Sequence, residues 1–288
     1  MAENGKAAGD WARYWRAADQ PLEAMHAHFE RHVYHRHSHD TYSLGVTDTG
    51  AQSFTCRGAA RTSAAGMVMA FNPDDPHDGQ ATDGEGFTYR MIHIGPELVS
   101  RVLADAAGRP AGLPLFAEPV LGDAVLAARL RDLHRALLGD ATTLRRDELL
   151  AAVVLAAARQ AGTRQGTPAL PTQARTTESA TADTRQVARR ARDLIADRRL
   201  DDINAGHLAE VTGRSRFAVH RAFTHVYGMS PGDYQRQLRL REARSLIAAG
   251  RPISEAAALA GFADQSHLSR WFLRYYGVTP GRYQRASV

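Results

Sequence analysis

The chain has 288 residues, a single cysteine (Cys56), 36 Lys plus Arg against 31 Asp plus Glu, and a net charge of +5. That length suits about two domains, and one cysteine excludes an internal disulfide, as expected in a reducing cytoplasm. The longest aliphatic run, Leu149 to Ala158, falls well short of the ~20 residues that cross a bilayer, and the first twenty residues lack a secretory apolar stretch, so no membrane partner is expected.

The charge is uneven. Residues 185–288 carry 18 Arg, no Lys and 9 acidic residues, for +9, and residues 1–184 carry −4. A basic half joined to an acidic half points to an anionic polymer as partner, although Arg-rich helices are also simply soluble.

Residues 1–28 read as an arm. From Phe29 to about Ile94, polar and apolar residues alternate between glycines and prolines, as in TYSLGVTDTG and GMVMAFNP, which predicts strands and turns. Within this region lies HVYHRHSHD, His32 to Asp40. In a strand, residues two apart share a face, so His35, His37 and His39 are expected together, with Tyr34, Arg36 and Ser38 opposite. So dense a histidine cluster raises the question of a metal ion such as zinc or iron. A cup for a small organic ligand and a solvated polar strand are the alternatives, and the ligand cup is the reading adopted.

From Leu121 to Gln160 the pattern turns helical, with Val125, Leu126, Leu130, Leu133 and Leu137 forming a stripe and LRRDELLAAVVLAAARQ a second helix. This hairpin suits dimerisation or packing onto its own barrel. Gly162 to Thr184, rich in Thr, Pro, Gly, Ser and Gln, buries too little to offset its ordering entropy and reads as a flexible linker.

The remainder repeats itself. Tyr227-Gly-Met-Ser-Pro-Gly-Asp-Tyr-Gln-Arg236 aligns with Tyr276-Gly-Val-Thr-Pro-Gly-Arg-Tyr-Gln-Arg285. Each copy predicts a helix-turn-helix. In the first, His207 to Thr212 puts Leu208 and Val211 inward, Gly213 ends the helix, and Ser215 caps a second one. In the second, Ile253 to Ala260 is followed by Gly261 and a helix capped by Asp264. With Val219, Phe223, Leu268 and Phe272 inward, the outward residues are Arg216, Phe217, His220, Arg221 and Thr224, then Gln265, Ser266, His267, Ser269 and Arg270. Arg suits guanine and Gln adenine. A solvated helix face is the bland alternative, but the doubled motif in a +9 segment outweighs it. A connecting helix of about 16 residues spans ~24 Å, enough to set two heads near the ~34 Å spacing of successive major grooves.

The segment from about Asp202 to Arg285 resembles the DNA-binding domain of the AraC/XylS regulators, through Leu208-Ala209, Val219-His-Arg-Ala-Phe223, Tyr227-Gly-Met-Ser-Pro231, GFADQSHLSRWF and YGVTPGRY. The resemblance implies a bacterial transcriptional regulator, an activator acting on RNA polymerase, that works as a homodimer in the cytoplasm and is not an enzyme. It implies that Arg216, Phe217, His220, Arg221, Gln265, Ser266, His267 and Arg270 contact DNA. The N-terminal region resembles a cupin barrel, the sensor of one branch of that family. On the cupin pattern His37 and His39 form the His-x-His pair, Ser43 stands where the glutamate would be, Gly50 is the motif glycine, and His77 ends the second motif. His93 is a further candidate. This implies an effector site at His37, His39, Ser43, His77 and His93, or a zinc or iron ion on His37, His39 and His77. The expected fold class is α+β: a cupin-like barrel (1–120), a helical hairpin (121–161), a linker (162–184) and an all-α domain with two helix-turn-helix motifs (185–288). A cupin metalloenzyme with an accessory DNA-binding domain, and a ligand-free DNA-binding protein, are the competing readings.

Overall fold

The computed structural model describes residues 9–163 and 181–286. Eight strands come first: β1 (Trp11–Arg16), β2 (Leu22–Phe29), β3 (Tyr34–His37), β4 (Tyr42–Cys56), β5 (Ala59–Ala64), β6 (Val68–Phe71), β7 (His77–Ala81) and β8 (Phe87–Ile94). Then follow α1 (Pro96–Ala107), β9 (Pro114–Leu115), β10 (Val120–Leu121), α2 (Ala124–Leu138), α3 (Thr143–Gln160) and β11 (Gly162–Thr163). The C-terminal half holds α4 (Ala182–Asp197), α5 (Ala205–Thr212), α6 (Arg216–Tyr227), α7 (Pro231–Ala248), α8 (Ile253–Leu259), α9 (Gln265–Tyr276) and α10 (Pro280–Gln284).

Strand β4 organises the barrel. Tyr42–Val46 pairs with β8 on one side, and its Ser43–Val46 stretch with β6 on the other. Further along, β4 pairs with β5 and β7. The handover falls where the register with β8 shifts between Thr47 and Thr49, which bends the strand. Gly50 follows at φ +69°, and a Cβ there would collide with the Gly86 carbonyl, so the motif glycine is a steric requirement of the bend.

Helices α2 and α3 pack on this sheet. Leu126, Leu130, Leu133, Leu150 and Val153 form one core with Leu22, Leu44, Val46 and Ile92. Each such leucine contributes about 1.5–3 kcal/mol by burial. A second core runs from the barrel (Phe29, Phe54, Phe71, Phe87) into the C-terminal half (Leu240, Phe262, Leu268, Phe272) without a break. Val187, Ile195, Leu208, Val219 and Phe223 make a third, around the first helix-turn-helix.

Four expectations need correction. The arm expected over residues 1–28 is, from Trp11 onward, two paired strands of the sheet; Leu22 to Met25, Ala27 and Phe29 of β2 are buried. Of the segment expected as a linker, 162–184, Thr181 caps α4 and the residues from Ala182 are helical; residues 164–180 of it lie outside the described residues. Val125 is 61% exposed, since the stripe of α2 turns inward only from Leu126. Val211 is likewise exposed, and its place in the core is taken by Thr212, whose hydroxyl donates to the Leu208 carbonyl at 2.6 Å. Helix α1, capped by Gly95 with Pro96 in its first turn, was not among the expected elements.

Candidate DNA-reading helices and sensor cavity

The sequence repeat is a structural repeat. Ser215 accepts a bond from the Ala218 amide to start α6, and Asp264 accepts one from the His267 amide to start α9. Both helices end in a left-handed glycine, Gly228 and Gly277, and both are followed by a capped proline-led helix. Val219, Phe223, Leu268 and Phe272 are buried, as the stripes required. Arg216, Phe217, His220, Arg221, Gln265, Ser266 and Arg270 are exposed; His267 is half-buried with its ring edge-on to Phe262. Phe217 is 68% exposed, with the Arg221 guanidinium 4.7 Å over its ring. Helix α7 separates the two motifs, and its 18 residues span about 27 Å.

The ends of the reading helices fix their direction. A Cβ on Gly277 would overlap the Tyr34 hydroxyl and come within 3.0 Å of Phe29 Cζ; one on Gly228 would come within 3.1 Å of Arg36 Nη2 and 3.4 Å of Pro76 Cγ. Both C-terminal turns therefore rest on the barrel, and the capped N-terminal turns with their polar side chains point away from it.

The barrel opens onto the same boundary. A cavity of about 50 Å³ is lined by His37, His39, His77 and His93 from the barrel and by Arg244, Tyr275 and Tyr276 from α7 and α9. The sequence placed His35 with His37 and His39, but the register of β3 with β7 shifts between Tyr34 and His37, so Tyr34 and His37 both line the cavity. His35 turns instead onto Tyr275, stacking at 5.4 Å, and onto Trp271. Ser43 does not line the cavity either: its hydroxyl sits 2.9 Å from His93 Nδ1 and orients that ring from behind.

Each imidazole is positioned. His37 Nδ1 donates to the His35 carbonyl at 2.7 Å and His77 Nδ1 to the Asp75 carbonyl at 2.8 Å, leaving both Nε2 atoms as acceptors. His77 stacks on Phe71 at 4.0 Å. Burial, reinforced by the neighbouring rings, holds His37 and His39 well below the usual histidine range. Burial also pushes His77 and His93 down to about 4. All four are neutral at pH 7, the form that accepts hydrogen bonds and ligates metals.

Residues from the connecting helix complete the boundary and were absent from the sequence-derived site. Gln237, 1% exposed, accepts from the Ser38 amide at 2.7 Å and donates to the Ser38 hydroxyl at 2.9 Å, gripping the residue between His37 and His39. Arg241 donates to Asp74 at 2.7 Å. Arg244 pairs with Glu23 of β2, which also accepts from Tyr14 at 2.5 Å and Tyr283 at 2.8 Å. In Leu238-Arg-Leu-Arg-Glu-Ala-Arg244 the two arginines, Arg241 and Arg244, stand one turn apart beside the apolar stripe, a pattern that a solvated helix face shares.

A ligand-binding barrel joined to two helix-turn-helix motifs defines a transcriptional regulator that carries its own sensor. Residues 20–154 match the AraC-like ligand binding domain, and residues 208–286 match a helix-turn-helix domain. The chain is 30% identical over 97 residues to the multiple antibiotic resistance protein MarA of Escherichia coli K12, spanning 33% of this chain and 76% of that protein. It is 27% identical over 233 residues to YbfI, an uncharacterized HTH-type transcriptional regulator of Bacillus subtilis 168, spanning 81% of this chain and 80% of that one. Its fold is like that of unsaturated fatty acid-bound ToxT from Vibrio cholerae, with a TM-score of 0.52, 13% identity, and 99% and 97% of the two chains covered. The chain belongs to the AraC family of transcriptional regulators, with an N-terminal ligand-binding domain and a C-terminal helix-turn-helix DNA-binding domain.

Proposed function

We propose that the protein reads two successive major grooves of its operator, with α6 entering one and α9 the other, and that an effector in the histidine-lined cavity governs this binding. The observation that carries the reading is the double role of α9. Its N-terminal half exposes Gln265, Ser266 and Arg270, and its C-terminal turn supplies Tyr275 and Tyr276 to the cavity wall. A change in the cavity therefore acts on a reading helix without an intermediate element.

Within this reading Arg216, Phe217, His220 and Arg221 face one groove and Gln265, Ser266, His267 and Arg270 the other. An exposed aromatic such as Phe217 suits a thymine methyl, and the arginines suit guanine. Effector contacts fall to His37, His39, His77 and His93, with Ser43 acting through His93. The cavity serves recognition and not turnover. The protein acts in the cytoplasm as a homodimer through α2 and α3, where Val125 and Leu144 are 61% and 71% exposed, and it activates RNA polymerase. Among the described residues no helix is long and apolar enough to cross a membrane.

Arg270→Ala is expected to weaken operator binding by about 1–3 kcal/mol, roughly 5- to 150-fold, at one base position. Fluorescence anisotropy against single-base operator variants measures this; an equal loss on every sequence assigns Arg270 to phosphate. Val125→Glu with Leu144→Glu is expected to give a monomer in sedimentation with the fold intact. A dimer that persists removes α2 and α3 from the interface.

A further inference from the structure

We propose that His37, His39 and His77 bind one divalent transition-metal ion of the zinc or ferrous class, and that this ion is the effector the sensor recognises. This rests on the reading of the cavity as the sensor site and names what it senses.

The donor set is built. One nitrogen from each of the three rings lies within 4.8 Å of the others, and the rings come from two paired segments. Main-chain carbonyls fix the Nδ1 protons of His37 and His77, the arrangement that orients metal-ligating imidazoles. His37 Nε2 and His39 Nε2 approach to 3.1 Å. Two nitrogens at ~2.0–2.1 Å from a tetrahedral ion stand about 3.3 Å apart, so His37 and His39 already stand at the spacing of a shared ion, and the full set, within 4.8 Å, closes by a small shift of rings. Where a cupin supplies a carboxylate, this chain has Ser43, which is engaged with His93. The set is therefore all imidazole, a donor type that suits zinc, iron, copper and nickel over magnesium or calcium.

Size separates an ion from an organic effector. Pockets for drug-sized organic ligands measure about 300–1,000 Å³, and one water needs only about 10–15 Å³ of the same kind of space. A cavity of about 50 Å³ holds an ion with a water or two and leaves every wall in place. His93 and Arg244 also border an outer groove of about 320 Å³. The Arg244 guanidinium at the cavity wall is paired with Glu23. Tyr275 and Tyr276 close the cavity, so the occupied site presses directly on α9.

The full chain, stripped with chelator, should be titrated with zinc chloride and separately with cobalt chloride, which reports ligand geometry by its visible absorption. The expected result is one ion per chain, a cobalt spectrum of low coordination number, and a changed affinity for operator DNA. His77→Ala and the milder His77→Gln should each weaken binding by more than about 100-fold, and the exposed His207→Ala should not alter it. Because the cobalt spectrum is read on the unaltered chain, the test survives a variant that fails to fold. Absence of a bound ion, or binding unaffected by the His77 variants, overturns the proposal. If the chain then answers an organic effector in a His37-dependent way, the cavity remains the sensor and only the metal is refuted; if operator binding answers neither, the sensor reading falls too.

Discussion

Glu23→Ala is expected to lower the free energy of unfolding by about 3–5 kcal/mol and to loosen the C-terminal domain from the barrel. Removing one partner of a buried pair leaves the other charged and unmatched, and that penalty is the dominant cost. Here the orphan is Arg244, with 14% of its side chain exposed, and Tyr14 and Tyr283 lose their acceptor as well. Urea denaturation measures the loss, and limited proteolysis reports the loosening. Replacing both charges together, as Glu23→Leu with Arg244→Met, should recover much of the stability, because an apolar pair of similar volume needs no desolvation. The effect carries a pH signature. Burial works to raise the Glu23 carboxyl, but Arg244, Tyr14, His93 and Tyr283 outweigh it and bring it below its ordinary value of 4.5. A carboxylate depressed in the folded state contributes fully above the unfolded value and loses its contribution as pH falls through the folded one. The gap between the natural chain and Glu23→Ala should therefore be full at pH 7 and close below about pH 4.5. A gap that is unchanged at low pH would mean that Glu23 contributes by packing alone.

The second large effect is expected at Gly277. It sits at φ +68° against the Tyr34 hydroxyl and the Phe29 ring. Gly277→Val combines a left-handed conformation, costing about 1–2 kcal/mol for a residue with a Cβ, with an overlap that only separation of α9 from the barrel relieves. The variant should keep the folded barrel, lose the contact between Tyr275 and the cavity, and bind operator without regard to effector. Its repeat partner Gly228 has more room, so Gly228→Val should be milder. Tryptophan fluorescence reports the separation, because Trp271, with the guanidiniums of Arg236 and Arg274 over its ring, meets His35 at this boundary. A Gly277→Val chain that still responds to effector would show that the response does not pass through this contact.

The C-terminal half was the most legible part of the sequence because its information is local. Caps, glycine turns and i, i+4 core pairs are written within twelve residues of each other, and the second copy checks the first. Val211 shows the limit, since one helical turn does not say whether Val211 or Thr212 faces the core. The barrel was less legible. The strand period put His35 beside His37, and a register shift of β3, which depends on its partner β7, parted them. The arm misread has a related origin: Trp11 to Phe29 alternates only in part, and its strands are defined by pairing with β8 near residue 90. The boundary between the halves was not legible. Gln237, Arg241 and Arg244 look like the solvated face of a connecting helix until the barrel is set against them, and no local pattern announces a partner two hundred residues away.

In the proposed binding mode the two reading heads of one chain enter two successive grooves. Hydroxyl-radical footprinting of the full chain on a selected operator tests it most directly, alongside Arg221→Ala and Arg270→Ala. Two-groove binding gives protection in two windows about one helical turn apart on one face of the duplex, with Arg221→Ala erasing sequence preference in one window and Arg270→Ala in the other. Protection confined to a single groove, or two substitutions that act on the same window, would contradict it.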